Sequence, residues 1–266
     1  MSVITTPSQT WVLLRGLTRE RRHWGAFPGA LAAALADSRV IEVDLPGNGE
    51  LNGEPSPWNI DAMVEHCRQA LRQSALPPPY RVVAMSMGAM AATAWAARHP
   101  AEIAAAVLIN TSMRPFSPLH QRLLPRNYGP MLRLFLGNST PTEIEEAVLR
   151  MTSRRHQGDT ALRDAWAAYR RERPVSRINA LAQLCAAARF RAPVERPFKH
   201  VMVMTSKLDA LVDTHCSIAL AASWQCMLLS HGFAGHDLPL DDPEWVVQNA
   251  VAWVSSITSG NVTSPA

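Results

Sequence analysis

The sequence YRVVAMSMGAMAATAWAAR spans residues 80–98 and joins two different hydrophobic patterns. Its first part, residues 80–85, is apolar on nearly every position, which is typical of a strand buried on both faces of a sheet. Its last part, residues 88–98, is rich in alanine and ends before Pro100, which favours a helix. Ser86 therefore lies at a predicted strand-to-helix junction.

The same alternation of strands and helices recurs along the chain. Further strand-like runs are 11–15, 40–44, 105–110, 200–205 and 226–230, and further helical patterns are 28–36, 59–74, 214–224 and 243–257. Strands that alternate with helices predict an α/β protein with a mainly parallel central sheet flanked by helices.

The alternation stops between residues 114 and 196, where helical patterns are separated by prolines. Thr142 and Glu145 have the spacing of a capping box at the start of one of these helices. We therefore expect a core built from residues 1–113 and 197–266, with residues 114–196 inserted as a helical cap.

The composition indicates a globular protein with a full hydrophobic core. The chain has 266 residues, of which 47% are hydrophobic and 18% are charged. No apolar run approaches the roughly 20 residues that span a bilayer. The first residues show no secretory pattern, so the cytoplasm is the expected location. The four cysteines show no C-x-x-C spacing, which gives a zinc or redox site little support.

Basic residues are concentrated in the predicted cap. The formal net charge is +4, but residues 114–196 carry 15 arginines against seven acidic residues. A basic segment on an acidic body favours an electrostatic role for that segment. Nucleic-acid binding has no further support, because no motif interleaves aromatic and basic residues.

Ser86 has the surroundings of a nucleophile at a sharp turn. Such a serine usually lies in the pattern G-x-S-x-G, whose small residues let the chain turn sharply from strand to helix. Here Ala84 replaces the first glycine and Gly88 is kept. This pentapeptide alone leaves open a simple helix-capping role for the serine.

Two later loops supply the partners that a serine nucleophile needs. Asp209 follows the strand-like run 200–205, and His236 follows the run 226–230. The chain order Ser, Asp, His is that of one specific fold, and all three would lie at the carboxyl edge of the sheet. Asp213 is a rival for the acidic position, although its place before a helix favours capping.

With these residues, the chain resembles the α/β-hydrolase superfamily over about residues 11–257, and most of all its small bacterial esterase-type members with a helical cap. Gly16 and Leu17 match the segment after the first central strand, with Arg15 in place of the usual histidine. Further matches are Trp24, the turn at residues 44–49, and residues 234–236 followed by 242–243.

The resemblance implies a role for each of these residues. Ser86 would attack the substrate, His236 would act as its base, and Asp209 would orient the imidazole. The N–H groups of Met87 and Leu17 would form the oxyanion hole.

Three other residues are candidates for substrate binding. Arg15 would either bind a substrate carboxylate or tie down the oxyanion loop. Trp24 follows that loop, where the family commonly has an aromatic residue, and Met113 would line the core or an apolar acyl pocket.

The expected activity is hydrolysis of a carboxylic ester of a small molecule through an acyl-enzyme, with no metal or organic cofactor. One alternative is a thioesterase or an esterase for acyl groups bound to a carrier protein or coenzyme A, which the basic cap would attract. Others are an acyltransferase or lyase of the same fold, or a binding protein without turnover. Ser86 argues against the enzymes of this fold that use an aspartate nucleophile. The oligomeric state is not determined by these patterns.

Overall fold

The computed structural model describes residues 9–35 and 37–260. The strands in this part of the chain are β1 (Gln9–Leu14), β2 (Ser38–Val43), β3 (Tyr80–Met85), β4 (Ile103–Ile109), β5 (Val201–Ser206) and β6 (Met227–His231). They form a parallel sheet in the spatial order β2-β1-β3-β4-β5-β6. The strand predictions are confirmed, each to within two residues at either end.

Helices connect the strands and cover the sheet. In chain order they are α1 (Phe27–Ala34), α2 (Ile60–Gln73), α3 (Met87–Arg98), α4 (Leu119–Arg122), α5 (Tyr128–Leu136), α6 (Pro141–Thr152), α7 (Thr160–Glu172), α8 (Arg177–Arg189), α9 (His215–Trp224), α10 (Leu238–Asp241) and α11 (Pro243–Thr258). None of the helices within the described residues is long and apolar enough to cross a membrane.

The sheet separates two hydrophobic cores, which explains the unbroken apolar strands. On β1, Val12 faces the core that contains α2, α3 and α9, whereas Leu13 faces the core that contains α1 and α11. Val82 and Val83 on β3 divide between the cores in the same way. Burying such a side chain completely stabilises the fold by about 1.5–3 kcal/mol. Both faces of the central strands must therefore be apolar.

Five helices, α4 to α8, lie between β4 and β5 in the described chain. We call residues 114–196 the helical insertion. Side chains from α5, α6 and α8 line a cavity that also contains Ser86 and His236. The insertion therefore lies over the carboxyl end of the sheet, the edge at which parallel α/β sheets place their sites.

The predicted capping box in the insertion is wrong by two residues. The structure places it at Thr140 and Glu143, whose side chains accept from each other's backbone N–H groups at 3.3 and 2.8 Å. Pro141 takes the first helical position, where its missing N–H costs nothing, so the residue before it becomes the cap. Thr142 therefore lies within the helix, and Glu145 is free for the ion pairs described below.

Candidate active site

Ser86 occupies a sharp turn between β3 and α3. Its backbone has φ 55° and ψ −119°, a conformation that is unfavourable for a residue with a side chain. Two contacts hold it there: its N–H donates to the Ile109 carbonyl at 2.9 Å, and the Thr111 hydroxyl donates to its carbonyl at 3.0 Å. The serine is thus fixed at the top of the sheet, as a nucleophile elbow requires.

Close packing around the turn explains which glycines it needs. A Cβ on Gly88 would lie 2.3 Å from the Leu14 carbonyl oxygen, so α3 can approach β1 only without a side chain there. A Cβ on Gly16 would lie 3.0 Å from the Ser86 Cβ. Ala84, in contrast, is fully buried in a hydrophobic core that accommodates its methyl group. The departure from glycine at this position therefore leaves the turn intact.

His236 and Asp209 form a buried hydrogen-bonded pair. The distance between His236 Nδ1 and Asp209 Oδ2 is 2.7 Å, and their side chains are 3% and 2% exposed. The other carboxylate oxygen, Oδ1, accepts from the N–H groups of Leu211 and Val212 at 2.8 and 2.9 Å. Asp213 instead accepts from the backbone N–H of His215, two residues further along, and its Oδ1 lies 2.8 Å from His215 Nδ1.

Asn110, which the sequence patterns did not single out, is hydrogen-bonded to the loop that carries His236, which we call the His236 loop. Its Nδ2 donates to the carbonyls of His236 and Gly235 at 2.7 and 3.2 Å, and to the Ser206 hydroxyl at 3.0 Å. Its φ is 44°, and asparagine tolerates this left-handed conformation better than most residues. An asparagine directly after a buried strand was the only available signal for this role.

Ser86 and His236 line one cavity of about 490 Å³. Among the described residues, Ser86 Oγ has no hydrogen-bond partner, so the contact with His236 is not formed in this structure. Such contacts are often long before substrate binds. The remaining wall is largely apolar and comes mostly from the helical insertion. Its apolar residues include Met131, Leu134, Phe135, Ile144, Val148, Met151, Leu184 and Leu211.

The two oxyanion candidates lie on different segments, Leu17 in the loop after β1 and Met87 at the start of α3. Leu17 lines the cavity with Gly16. Met87 is the first residue of α3, and no intrahelical carbonyl can reach its N–H. The next residue after Leu17, Thr18, has φ 55° and donates its N–H to Gln183 Oε1 of α8 at 2.8 Å. The helical insertion thus directly contacts residues 15–19, which we call the oxyanion loop after its predicted role.

A second contact between the insertion and this loop is a buried group of three charged residues. Glu145 on α6 is fully buried, and it accepts from Arg19 Nη1 and Arg170 Nε, both at 2.6 Å. The Arg19 guanidinium also lies 4.9 Å from the Trp166 ring centre. Burial lowers the pKa of Arg19, while the carboxylate of Glu145 opposes this shift. Glu145 therefore balances two cations at the junction of core and insertion.

The three predicted substrate-binding residues occupy different places. Arg15 lines the cavity, but both of its Nη atoms bind the carboxylate of Asp237, at 3.0 and 2.6 Å. Trp24 is buried against Phe27 at a ring distance of 5.3 Å and is not part of the cavity wall. Met113 is buried in a hydrophobic core and is not part of that wall either.

Two of the four cysteines are buried thiols with raised pKa values. The four cysteines are free, and burial raises the pKa of Cys67 to about 12 and that of Cys216 to about 11. These two thiols stay protonated near neutral pH and are weak nucleophiles. Within residues 9–35 and 37–260, no group of three or more histidine, cysteine, aspartate or glutamate side chains is arranged to hold a metal ion.

Buried His23 predicts a pH dependence of stability. Burial, with Arg19 and Arg15 nearby, lowers the pKa of His23 well below 6.5. The unfolded chain therefore binds a proton on this residue at a higher pH than the folded protein does. The free energy of unfolding should fall as the pH drops below about 6.5, by at most about 1.4 kcal/mol per pH unit from this one proton.

Urea unfolding at pH 8 and pH 5.5 would measure this effect. His23→Asn keeps an acceptor for the Glu20 N–H, which now donates to His23 Nδ1 at 3.1 Å. The variant should lose less free energy of unfolding between the two pH values than the unmodified protein. Equal losses in the two proteins would show that His23 does not cause the pH dependence.

Comparison with known proteins gives a family and several related structures. Residues 11–249 match the model of the alpha/beta hydrolase family. Esterase RhEst1 from Rhodococcus sp. ECU1013 has a similar structure, with a TM-score of 0.75 and 18% identity, over 95% of this chain and 92% of that one. The structure of a thermophilic esterase from Thermogutta terrifontis is also similar, with a TM-score of 0.73 and 21% identity, over 95% of this chain and 92% of that one.

Two curated relatives match only part of the chain. A stretch of 104 residues, 38% of this chain, is 33% identical to the biotin biosynthesis bifunctional protein BioHC of Teredinibacter turnerae and covers 17% of it. A stretch of 93 residues, 35% of this chain, is 36% identical to the pimeloyl-[acyl-carrier protein] methyl ester esterase of Chromobacterium violaceum and covers 34% of it. The match thus spans about a third or less of either relative.

Proposed function

Because the chain belongs to the alpha/beta hydrolase family, we propose that it is a serine hydrolase that cleaves a carboxylic ester through an acyl-enzyme. The observation that carries this proposal is the buried pair of His236 and Asp209, joined at 2.7 Å, whose His236 lies in the same cavity wall as the strained Ser86. The likeness to esterases supports the same class of reaction.

The proposed reaction has two halves. Ser86 Oγ attacks the ester carbonyl carbon as His236 Nε2 takes the hydroxyl proton, and Asp209 stabilises the resulting imidazolium. The N–H groups of Leu17 and Met87 stabilise the negative oxygen of the tetrahedral intermediate. The intermediate collapses, and the alcohol leaves with the proton from His236. Water then attacks the acyl-enzyme by the same route and releases the acid.

We also propose that residues 114–196 act as the cap that selects the substrate. Most of the apolar wall of the cavity comes from this segment, through α5, α6 and α8. Apolar burial contributes about 0.8 kcal/mol per methylene, which corresponds to about a fourfold gain in kcat/KM. The cavity therefore favours esters with an apolar acyl chain over acetate esters.

A panel of p-nitrophenyl esters from two to twelve acyl carbons tests this function. We expect kcat/KM to rise by up to about fourfold per methylene until the cavity is full, and then to level off or fall. A rapid burst of one p-nitrophenol per protein molecule would reveal the acyl-enzyme. Absence of turnover across the panel, together with no labelling by a fluorophosphonate, would contradict the proposal.

A second candidate is an esterase for acyl groups bound to an acidic carrier protein, and two arginines favour it. Arg171 and Arg177 line the cavity and are exposed. Arg171 has no ion-pair or hydrogen-bond partner in the described part of the chain, and Arg177 donates only to the Gly137 carbonyl. The relative that is named for an acyl-carrier methyl ester supports the same substrate class.

Salt dependence distinguishes the two candidates. Exposed charges at an interface act mainly by raising the association rate. Salt screens these charges and so removes the gain in rate. For a carrier-bound acyl ester, kcat/KM should fall several-fold between low and high salt, and Arg171→Gln should weaken this dependence. Arg39→Gln, an exposed arginine at the start of β2, is the matched control. An equal response of a small neutral ester to salt would exclude carrier recognition.

A further inference from the structure

A buried ion pair joins the two loops that carry the proposed catalytic groups. Arg15 directly precedes Gly16 and Leu17, and Asp237 directly follows His236. The two charged residues are 222 positions apart in the chain, yet Nη1 lies 3.0 Å from Oδ1 and Nη2 lies 2.6 Å from Oδ2. Their side chains are only 4% and 3% exposed.

The geometry of this pair is suited to holding a fixed distance. Two parallel hydrogen bonds between a planar guanidinium and a carboxylate fix orientation as well as separation. The Arg15 guanidinium also lies over the ring of Trp24, 4.8 Å from its centre, and this contact further restricts its position. With both Nη atoms bound to Asp237, Arg15 is already neutralised and does not need a substrate carboxylate.

The other contacts of the His236 loop lead elsewhere. Asn110 ties the loop to the end of β4, and the Asp237 N–H donates to the Thr152 carbonyl of the insertion at 2.7 Å. Asp241 accepts from the Gly235 N–H and from backbone N–H groups that follow α6. Among the described residues, the Arg15–Asp237 pair is the only hydrogen-bonded link between residues 15–19 and residues 234–241.

We propose that Arg15 and Asp237 are positioning residues that set the distance between the oxyanion loop and His236, an inference that rests on the function proposed above. The oxyanion donors must lie about 2.7–3.1 Å from the developing negative oxygen while His236 reaches Ser86. Leu17 and His236 lie in loops that follow different strands, so the two conditions are met together only if these loops keep a fixed separation. A misplacement of about 1 Å at such a site lowers the rate by about 100-fold.

Removing both charges separates positioning from stability. Arg15→Met or Asp237→Leu alone leaves a buried charge without its partner, and we expect the Tm to fall by about 10 °C. In the double variant Arg15→Met/Asp237→Leu no charge is stranded, so most of the Tm should return. If the pair positions the loops, kcat for p-nitrophenyl acetate should stay about 100-fold low in the double variant, with KM changed by no more than about twofold.

A change that keeps the positive charge gives a second measurement, which does not depend on removing the charges. Arg15→Lys keeps the cation but cannot form two parallel hydrogen bonds with one carboxylate. We expect a smaller fall in Tm than in Arg15→Met, because no charge is left without a partner, and a kcat that is lower by about tenfold, since only part of the fixed geometry is lost. The rate of fluorophosphonate labelling of Ser86 should fall in parallel, because labelling needs His236 and the oxyanion hole but no cognate substrate.

The matched control is another two-point ion pair in the same chain. Arg68 binds both carboxylate oxygens of Glu102 at 2.8 and 2.7 Å. Glu102 precedes β4, at the opposite edge of the sheet from Ser86. The variant Arg68→Met/Glu102→Leu should keep its kcat.

Three results would overturn the inference. The first is a double variant or an Arg15→Lys variant with the kcat of the unmodified protein. The second is an equal loss of kcat in the control, which would make the loss a general consequence of altered stability. The third is an unmodified protein that neither labels nor hydrolyses esters, which would overturn the proposed function and this inference with it. Only the first two leave the proposed function standing.

Discussion

Replacing Ser86 by alanine is expected to lower kcat for ester hydrolysis by about 10⁴- to 10⁶-fold and to abolish fluorophosphonate labelling. The reason is that the acyl-enzyme cannot form without the hydroxyl oxygen. The residual activity would come from the oxyanion hole and from substrate binding alone. Intact mass after treatment with the reagent, combined with initial rates on the preferred p-nitrophenyl ester, measures both effects.

The matched control for this experiment is Ser112→Ala. Ser112 is buried and lies three residues after β4, and like Ser86 its side chain makes no hydrogen bond within the described chain. This variant should take up one fluorophosphonate and keep its activity. An adduct of undiminished stoichiometry on folded Ser86→Ala would show that another residue is the nucleophile.

Asp209→Asn is expected to lower kcat by about 10⁴-fold with little change in KM. The carboxylate oxygen Oδ1 accepts from the N–H groups of Leu211 and Val212. The amide oxygen of asparagine would take over these bonds, so its NH₂ group would face His236 Nδ1. That nitrogen would then have to accept a hydrogen bond, which leaves the proton on Nε2. A histidine in this tautomer cannot take the proton of Ser86.

Asp213→Asn is the control, because this residue lies four positions further in the same loop and contacts His215 instead of His236. Its kcat should stay within about threefold of the unmodified value, as for a surface change outside the site. Steady-state rates of both variants, with Tm values to establish folding, complete the comparison. A large loss in Asp213→Asn with a small loss in Asp209→Asn would reverse the assignment of the acid.

Much of the fold could be predicted from the sequence because its signals are local. A strand buried on both faces must be apolar at successive positions, and a helix that covers it has its own period and end signals. These requirements act within a few residues of each other, so the six strands in the described chain lie where the patterns place them. The turn at Ser86 is local in the same sense, since Gly88 must admit the carbonyl of Leu14.

The candidate site was predictable only in part. The order of Ser86, Asp209 and His236 was available from the sequence, because each follows a strand and parallel strands end at one edge. In the structure, Asp209 lies within hydrogen-bond distance of His236, and Ser86 and His236 line the same cavity. The local patterns did not indicate that Trp24 and Met113 lie outside that wall, since an apolar residue near a site can face either way.

The sequence by itself determined the order of strands and helices, the sharp turn at Ser86 and the loops that carry its partners. Only the tertiary structure decided which charges meet. Asp237 neutralises Arg15 across 222 residues, and Glu145 of the insertion neutralises Arg19 across 126. Backbone sterics and hydrophobic periodicity act between near neighbours and leave a mark on the sequence. A buried ion pair depends on the distance between two loops that are far apart in the chain. The tertiary fold sets that distance, and it cannot be inferred from the spacing of residues along the sequence.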